Sequence, residues 1–349
     1  MVEEGPIARD RVRPGELYKK TEDGRVKCHA CAHRCAIAPG KAGICGGRRN
    51  ENGVLMVPYC YVCGLGADPI EKKPFYHVLP GSVTVSFGML GCNFRCDFCQ
   101  NWSTSQSHRE PHGGGEVTPI EPGKIVELCK RYGSPVVTST YNEPLITSEW
   151  SVAVFKEAKK AGIRCAFVSN GYATPEALDY LEPWLDFYKV DLKSMDDETY
   201  KRVSGGRLAP VLDTLEGILK RGMWLEVVTL VVPGLNDSDK QLAAIAGHLA
   251  RLSPDIPWHV TAFHPMYKMM RAKPTSPVDL IRAYDAGKAA GLKFVYAGNV
   301  PGAVGDRENT VCPSCSRTLV KRTGFEIFSN DLSEGMCPSC QTVIPGRWS

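Results

Sequence analysis

No stretch of this 349-residue chain approaches the roughly 18 consecutive apolar residues of a membrane span, and residues 1–14 are charged and proline-bearing. Neither a membrane helix nor a secretory signal is expected, and no membrane partner. Charge of one sign is also scarce: 42 Lys and Arg against 38 Asp and Glu leave +4, too little to argue for nucleic acid. The G-x-G-x-x-G phosphate fingerprint is missing after the first strand-like run, which argues against a nucleotide-binding doubly wound fold.

Cysteine, by contrast, is abundant, with 15 residues. In a chain without a secretory signal they argue for metal ligation in a reducing compartment, the cytoplasm, rather than for disulfides. Composition alone would supply about 0.6 C-x2-C pairs by chance. Five are present, at Cys28/Cys31, Cys60/Cys63, Cys96/Cys99, Cys312/Cys315 and Cys337/Cys340.

Cys92, Cys96 and Cys99, at C-x3-C-x2-C spacing, follow an apolar strand-like run from Val83 to Leu90. Thiolates are the usual ligands of iron–sulfur clusters, and a cubane normally takes four. Three local thiolates leave one iron open to an exogenous ligand. Cys28, Cys31, Cys35 and Cys45, bracketed by Pro39, Gly40, Gly43 and Gly46, form a four-thiolate set for which zinc is the default occupant and an iron–sulfur cluster the alternative. The two C-P-S-C knuckles, Cys312/Cys315 and Cys337/Cys340, have 21 residues between them, a zinc-ribbon pattern with a hairpin-like insert around Phe325, Ile327 and Phe328. Two structural zinc sites are therefore expected. Residues 1–20 read as a loose lead-in, Cys60 and Cys63 as core cysteines, and Asp68–His77 as a surface linker.

Beyond the triplet the chain alternates. Strands are expected at Pro135–Thr140, Arg164–Ser169, Phe187–Asp191, Trp224–Val232, Trp258–Phe263 and Phe294–Ala297. Helices are expected at Lys124–Arg131, Ser148–Ala161, Thr174–Leu181, Leu208–Arg221, Asp237–Leu252 and Val278–Ala290. This is an α/β pattern with a parallel sheet. Polar residues recur where strands end: Asn142 and Glu143, Ser169 and Asn170, Asp191 and Lys193, His264, and Asn299. In a (β/α) barrel such ends share one rim, where catalytic groups sit. About six strands predict a partial (β/α)6 TIM-like barrel over 80–305. A Cys-rich module over 1–79 precedes it, and a zinc-ribbon-like module over 306–349 follows.

The triplet, with Phe98 before its last cysteine, resembles the cluster motif of radical S-adenosylmethionine (SAM) enzymes. That resemblance implies a [4Fe–4S] cluster on Cys92, Cys96 and Cys99, with SAM on the open iron. It further implies an oxidoreductase that reductively cleaves SAM to a 5′-deoxyadenosyl radical. Thr140-Tyr141-Asn142-Glu143-Pro144 occupies the place of the family's Gly-Gly-Glu-like motif, so Asn142 and Glu143 are expected to hold the ligand's ammonium. Val168-Ser169-Asn170-Gly171 and Asp191-Leu192-Lys193 look like stretches of glycyl-radical activating enzymes, which makes Lys193 the expected partner of the methionyl carboxylate. Val231-Val232-Pro233-Gly234, with Val232, resembles the strand lying against adenine, and His264 resembles the histidine that reaches the ribose. Val168 departs from the pattern, since those activases often carry a cation-binding acid there. As a whole the chain resembles the radical enzyme of the AmmeMemoRadiSam system, related to pyruvate formate-lyase activating enzymes. An electron donor such as flavodoxin or ferredoxin is implied, with a protein (a glycine among the options), RNA or small molecule as substrate. The competing reading is a metal-stapled RNA- or protein-binding module with a structural or redox-sensing cluster.

Overall fold

The computed structural model describes residues 11–349, so residues 1–10 of the expected lead-in lie outside the described residues. The chain divides into two compact units. One comprises the chain up to Asp68 with Val83–Tyr188 and Lys201–Met223; the other comprises Pro69–Ser82, Lys189–Tyr200 and Trp224–Ser349.

In the first unit, strand Val83–Gly88 pairs in parallel with Val136–Ser139, which pairs in parallel with Arg164–Ser169. Val136–Ser139 is buried at every position, as expected of a strand covered on both faces. Helix Ser148–Lys160 buries Ser151, Val154, Phe155 and Ala158, one stripe at helical spacing. Helix Pro175–Leu181 starts where the Thr174 hydroxyl accepts the Ala177 amide, with Pro at its first position.

The lead-in is not loose over residues 11–20. Val12–Pro14 pairs with Val54–Pro58, and Tyr18–Lys20 with Val26–Cys28. Glu149, wholly buried, accepts the Glu16 amide at 3.0 Å and pairs with the equally buried Arg48 guanidinium. A charge repeat carries no signal for such a docking, because its partners lie more than a hundred residues away.

Cys60 and Cys63 are not core residues either. Both are half-buried, Cys60 in a left-handed conformation (φ 55°) between strands Val54–Pro58 and Tyr61–Val62. The buried cysteines unassigned by motif are Cys129 and Cys165, on the inner faces of a helix and a strand.

In the second unit, strands Trp224–Val231, Trp258–Ala262 and Val295–Gly298 form a parallel ladder. Helices Asp239–Leu252 and Pro277–Ala289 alternate with them, the latter opened by a capping box of Ser276 and Asp279. The expected surface linker is buried: Glu71, Lys73, Phe75 and His77 are all covered. Buried Glu226 accepts the amides of Tyr76 (3.0 Å) and His77 (2.9 Å) and pairs with His259 Nε2 (2.7 Å). The hairpin expected between the last knuckles is present, Thr318–Thr323 pairing with Glu326–Asn330. Tyr76, Phe294, Tyr296, Cys312, Leu319, Cys337 and Ile344 form one apolar cluster. Among the described residues no helix is long and apolar enough to cross a membrane.

Candidate functional site

The triplet lies directly after strand Val83–Gly88. Asn142, leaving the next strand, grips that exit from both sides: its Oδ1 accepts the Met89 amide (3.1 Å) and its Nδ2 donates to the Gly91 carbonyl (3.0 Å). The Cys99 amide donates to the Cys96 carbonyl, closing a tight turn. The Phe94 amide donates to Cys92 Sγ at 3.3 Å. Gln106 Nε2 and Arg109 Nη1 both donate to the Phe94 carbonyl at 3.0 Å, and the Arg95 amide is held by the Ser204 carbonyl. A Cβ at Gly206 would meet the Phe94 ring at 2.4 Å, so glycine is required for that approach.

Glu143 sits beside this loop with its carboxylate buried. Oε1 accepts Ser169 Oγ (2.7 Å) and the Leu145 amide (3.1 Å); Oε2 accepts the Asn170 amide (2.7 Å). Asn170 Nδ2 in turn donates to Asn93 Oδ1 at 2.7 Å. The structure thus brings Cys92, Asn142, Glu143, Ser169 and Asn170 into one network, with Asn93 as the member that motif reasoning missed. Its only signal was its place between Cys92 and the turn.

Two observations bear on what this loop holds. Asn93 Nδ2 is buried without a hydrogen-bond partner. Burial first, then the nearby Glu143 carboxylate, pushes the Cys92 thiol well above its ordinary value. A buried thiolate needs a cation in place of water, which is what iron supplies. The site fits an iron–sulfur cluster.

In the second unit, Asp191 lies between two ammonium groups, Lys189 and Lys193, the latter at 3.2 Å. Burial opposes its ionisation, yet the two lysines hold its carboxyl down to about 2. The Lys193 amide donates to Tyr200 Oη (2.9 Å), while Asn236 Nδ2 donates to the carbonyls of Lys193 and Leu230 (both 2.8 Å). Asn236 Oδ1 accepts the Val232 amide at 2.7 Å. Lys189 and Asn236 were not singled out by motif; each shows its role only through these contacts. His264 is exposed, with Nε2 3.4 Å from the Asn299 carbonyl.

The two four-cysteine sets differ in space. Cys312, Cys315, Cys337 and Cys340 have all four sulfurs within 4.8 Å of one another, with Cys312–Cys340 at 3.5 Å and Cys315–Cys337 at 3.6 Å. The Thr342 hydroxyl and amide hold the Cys340 thiol down to about 6, making it a ready thiolate ligand. This set can bind a single metal ion. Cys28, Cys31, Cys35 and Cys45 do not form such a group.

The description of the radical SAM superfamily matches residues 88–246. An uncharacterised protein of Methanocaldococcus jannaschii is 40% identical over 338 residues, covering 95% of this chain and 99% of that protein. The pyruvate formate-lyase-activating enzyme of Clostridium pasteurianum is 29% identical over 48% of this chain and 69% of its own length. Among solved structures, Streptococcus suis SuiB bound to its precursor peptide SuiA aligns with a TM-score of 0.50 at 14% identity. That alignment covers 66% of this chain and 51% of SuiB, a likeness of fold alone.

Proposed function

Since residues 88–246 form a radical SAM domain, we propose that Cys92, Cys96 and Cys99 hold a [4Fe–4S] cluster whose open iron takes SAM. The chemistry supplied when both are bound is one-electron reductive cleavage of SAM to a 5′-deoxyadenosyl radical. The observation that carries this reading is the three-thiolate turn tied through Asn93 and Asn170 to a buried Glu143.

SAM presents an ammonium and a carboxylate at its methionyl end, and each needs an opposite charge at a fixed position. Asn142 and Glu143 take the ammonium, with Ser169 and Asn170 orienting the Glu143 carboxylate. Lys193 takes the carboxylate, its ammonium steadied by Asp191. Phe98 lines the cluster turn, Val232 lies toward adenine, and His264 reaches for the ribose. The amide of Val232 is already used by Asn236 and its side chain is fully buried, so the role of this residue falls to its backbone path.

The accompanying fold is a partial (β/α)6 barrel over 80–305, flanked by modules at 1–79 and 306–349, with zinc on the last four cysteines. A flavodoxin- or ferredoxin-type carrier supplies the electron. The radical abstracts hydrogen from a protein glycine, as befits kinship with a protein named for activating pyruvate formate-lyase. Within this reading the chain is a radical enzyme of the AmmeMemoRadiSam group, a proposal that rests on the order of its cysteine motifs along the sequence.

Anaerobically reconstituted protein, given dithionite and SAM, is expected to release 5′-deoxyadenosine, and the Cys92→Ala/Cys96→Ala/Cys99→Ala variant none. Wild-type protein that carries its full iron and still yields no 5′-deoxyadenosine overturns the reading.

A further inference from the structure

Four cysteines play no part in the reaction above. Cys28, Cys31, Cys35 and Cys45 line a small hollow together with Arg48 and Ile146. Cys28, Cys31 and Cys45 are buried and Cys35 half-buried. The cage is made of fixed backbone. The Cys28 amide is bonded to the Cys35 carbonyl, and the Arg34 amide to the Cys31 carbonyl. Gly46, at φ 74°, makes the turn that aims Cys45 inward. Protein interiors are otherwise packed without voids, so a hollow ringed by ligand atoms is a socket.

The separation of the sulfurs points to the occupant. One zinc ion with sulfurs about 2.3 Å away sets them about 3.8 Å apart by tetrahedral geometry. The C-terminal set has that spacing. No three of the N-terminal sulfurs lie within 4.8 Å of one another. In a cubane each thiolate binds a different iron, so the sulfurs stand farther apart and iron and sulfide fill the middle. We infer that Cys28, Cys31, Cys35 and Cys45 hold a second [4Fe–4S] cluster, ligated at all four irons, in place of the zinc expected from their spacing along the chain.

Its neighbours suggest what it is for. Asn93, next to Cys92, lines the same hollow, and its carbonyl accepts His33 Nε2 at 2.9 Å. A Cβ at Gly91 would stand 2.6 Å from the Cys45 carbonyl oxygen. Arg109 reaches the Ile44 carbonyl and lies 3.4 Å from the Cys92 carbonyl. A fully ligated cluster has no iron open to SAM and serves as a one-electron centre. It accepts one electron from a low-potential carrier and passes it on, with no bond or proton change. Arg48 Nη1, 3.9 Å from Cys28 Sγ, is placed to donate to that ligand and so tune the centre's potential. Only this relay role rests on the reading of Cys92, Cys96 and Cys99; the site itself does not.

The test counts iron in the full-length Cys92→Ala/Cys96→Ala/Cys99→Ala variant after anaerobic reconstitution. About four irons and four sulfides per chain should remain, with about eight in wild type. Dithionite should produce an electron paramagnetic resonance signal in the variant that SAM does not perturb. Two zinc ions and no iron in the variant would overturn the proposal, as would no metal beyond the C-terminal ion. Should the variant fail to fold, wild-type iron decides: near eight supports the second cluster, near four overturns it. Either result is independent of 5′-deoxyadenosine release, which tests the main reading.

Discussion

Glu143 accepts from Ser169, Asn170 and Leu145 while buried, so its two oxygens are held in one orientation before any ligand arrives. A Glu143→Gln change places an amide NH₂ against groups that donate, and an unsatisfied buried polar group costs about 1–3 kcal/mol. Lys193→Met removes the opposite charge. Charge-assisted bonds contribute about 1.5–3 kcal/mol, so each variant should bind SAM roughly 10- to 150-fold more weakly by equilibrium binding, with iron content unchanged. Wild-type affinity in both would remove these two roles while leaving the cluster assignment standing. The Arg48–Glu149 pair carries a different expectation. Both side chains are buried, so Arg48→Met leaves Glu149 as an uncompensated charge and should cost about 3–5 kcal/mol, read from the urea midpoint.

At the scale of elements, the last hairpin is where a metal held by the last four cysteines would act on stability. Thr318–Thr323 and Glu326–Asn330 pair with each other, and Glu326–Asn330 is exposed or half-covered along its whole length. Leu319 of the first strand sits inside the apolar cluster with Phe294, Tyr296 and Ile344, as do Cys312 and Cys337. An ion bound by the four sulfurs would tie the knuckles to that core and supply part of the element's folding free energy. Cys337→Ser/Cys340→Ser should lose one zinc per chain, keep its iron and become cleavable by limited proteolysis within 312–349. Unchanged protease resistance would mean that the apolar cluster holds the hairpin without the ion.

Across the whole molecule, acid should act through buried histidines. His77 is fully covered, its Nδ1 donating to the Pro345 carbonyl at 2.6 Å, and burial drops it to about 4. Burial also lowers His259. The unfolded chain protonates these groups near 6.5 and the folded one only at lower pH, so between about 6.5 and 4 the unfolded state binds more protons. Stability is thus full above about 6.5 and falls as pH drops through that window, by about 3 kcal/mol for His77 at 1.36 kcal/mol per unit. Glu226, held low despite burial by His259 and by backbone amides, adds in the same direction below its ordinary range. Urea midpoints against pH should show a steeper fall in wild type than in His77→Gln. Equal slopes would remove His77 from the account.

Local repeats along the chain carry their own structural signal. Helical and strand periods placed Arg164–Ser169 and Phe187–Asp191 at their observed bounds, and most other elements to within two residues. The three-cysteine turn was legible because a cluster draws its thiolates from one short loop. Distances through space have no such signal, because they depend on how remote segments pack. Two four-cysteine patterns that both read as zinc along the chain differ in space: the last four sulfurs lie within 4.8 Å of one another, and the first four form no such group. Asp68–His77 reads as a polar linker, yet it is buried because Glu226, about 150 residues away, satisfies its amides. Spacing along a chain sets which ligands can meet. The path of the backbone between them sets how far apart they stand, and therefore which metal centre fits.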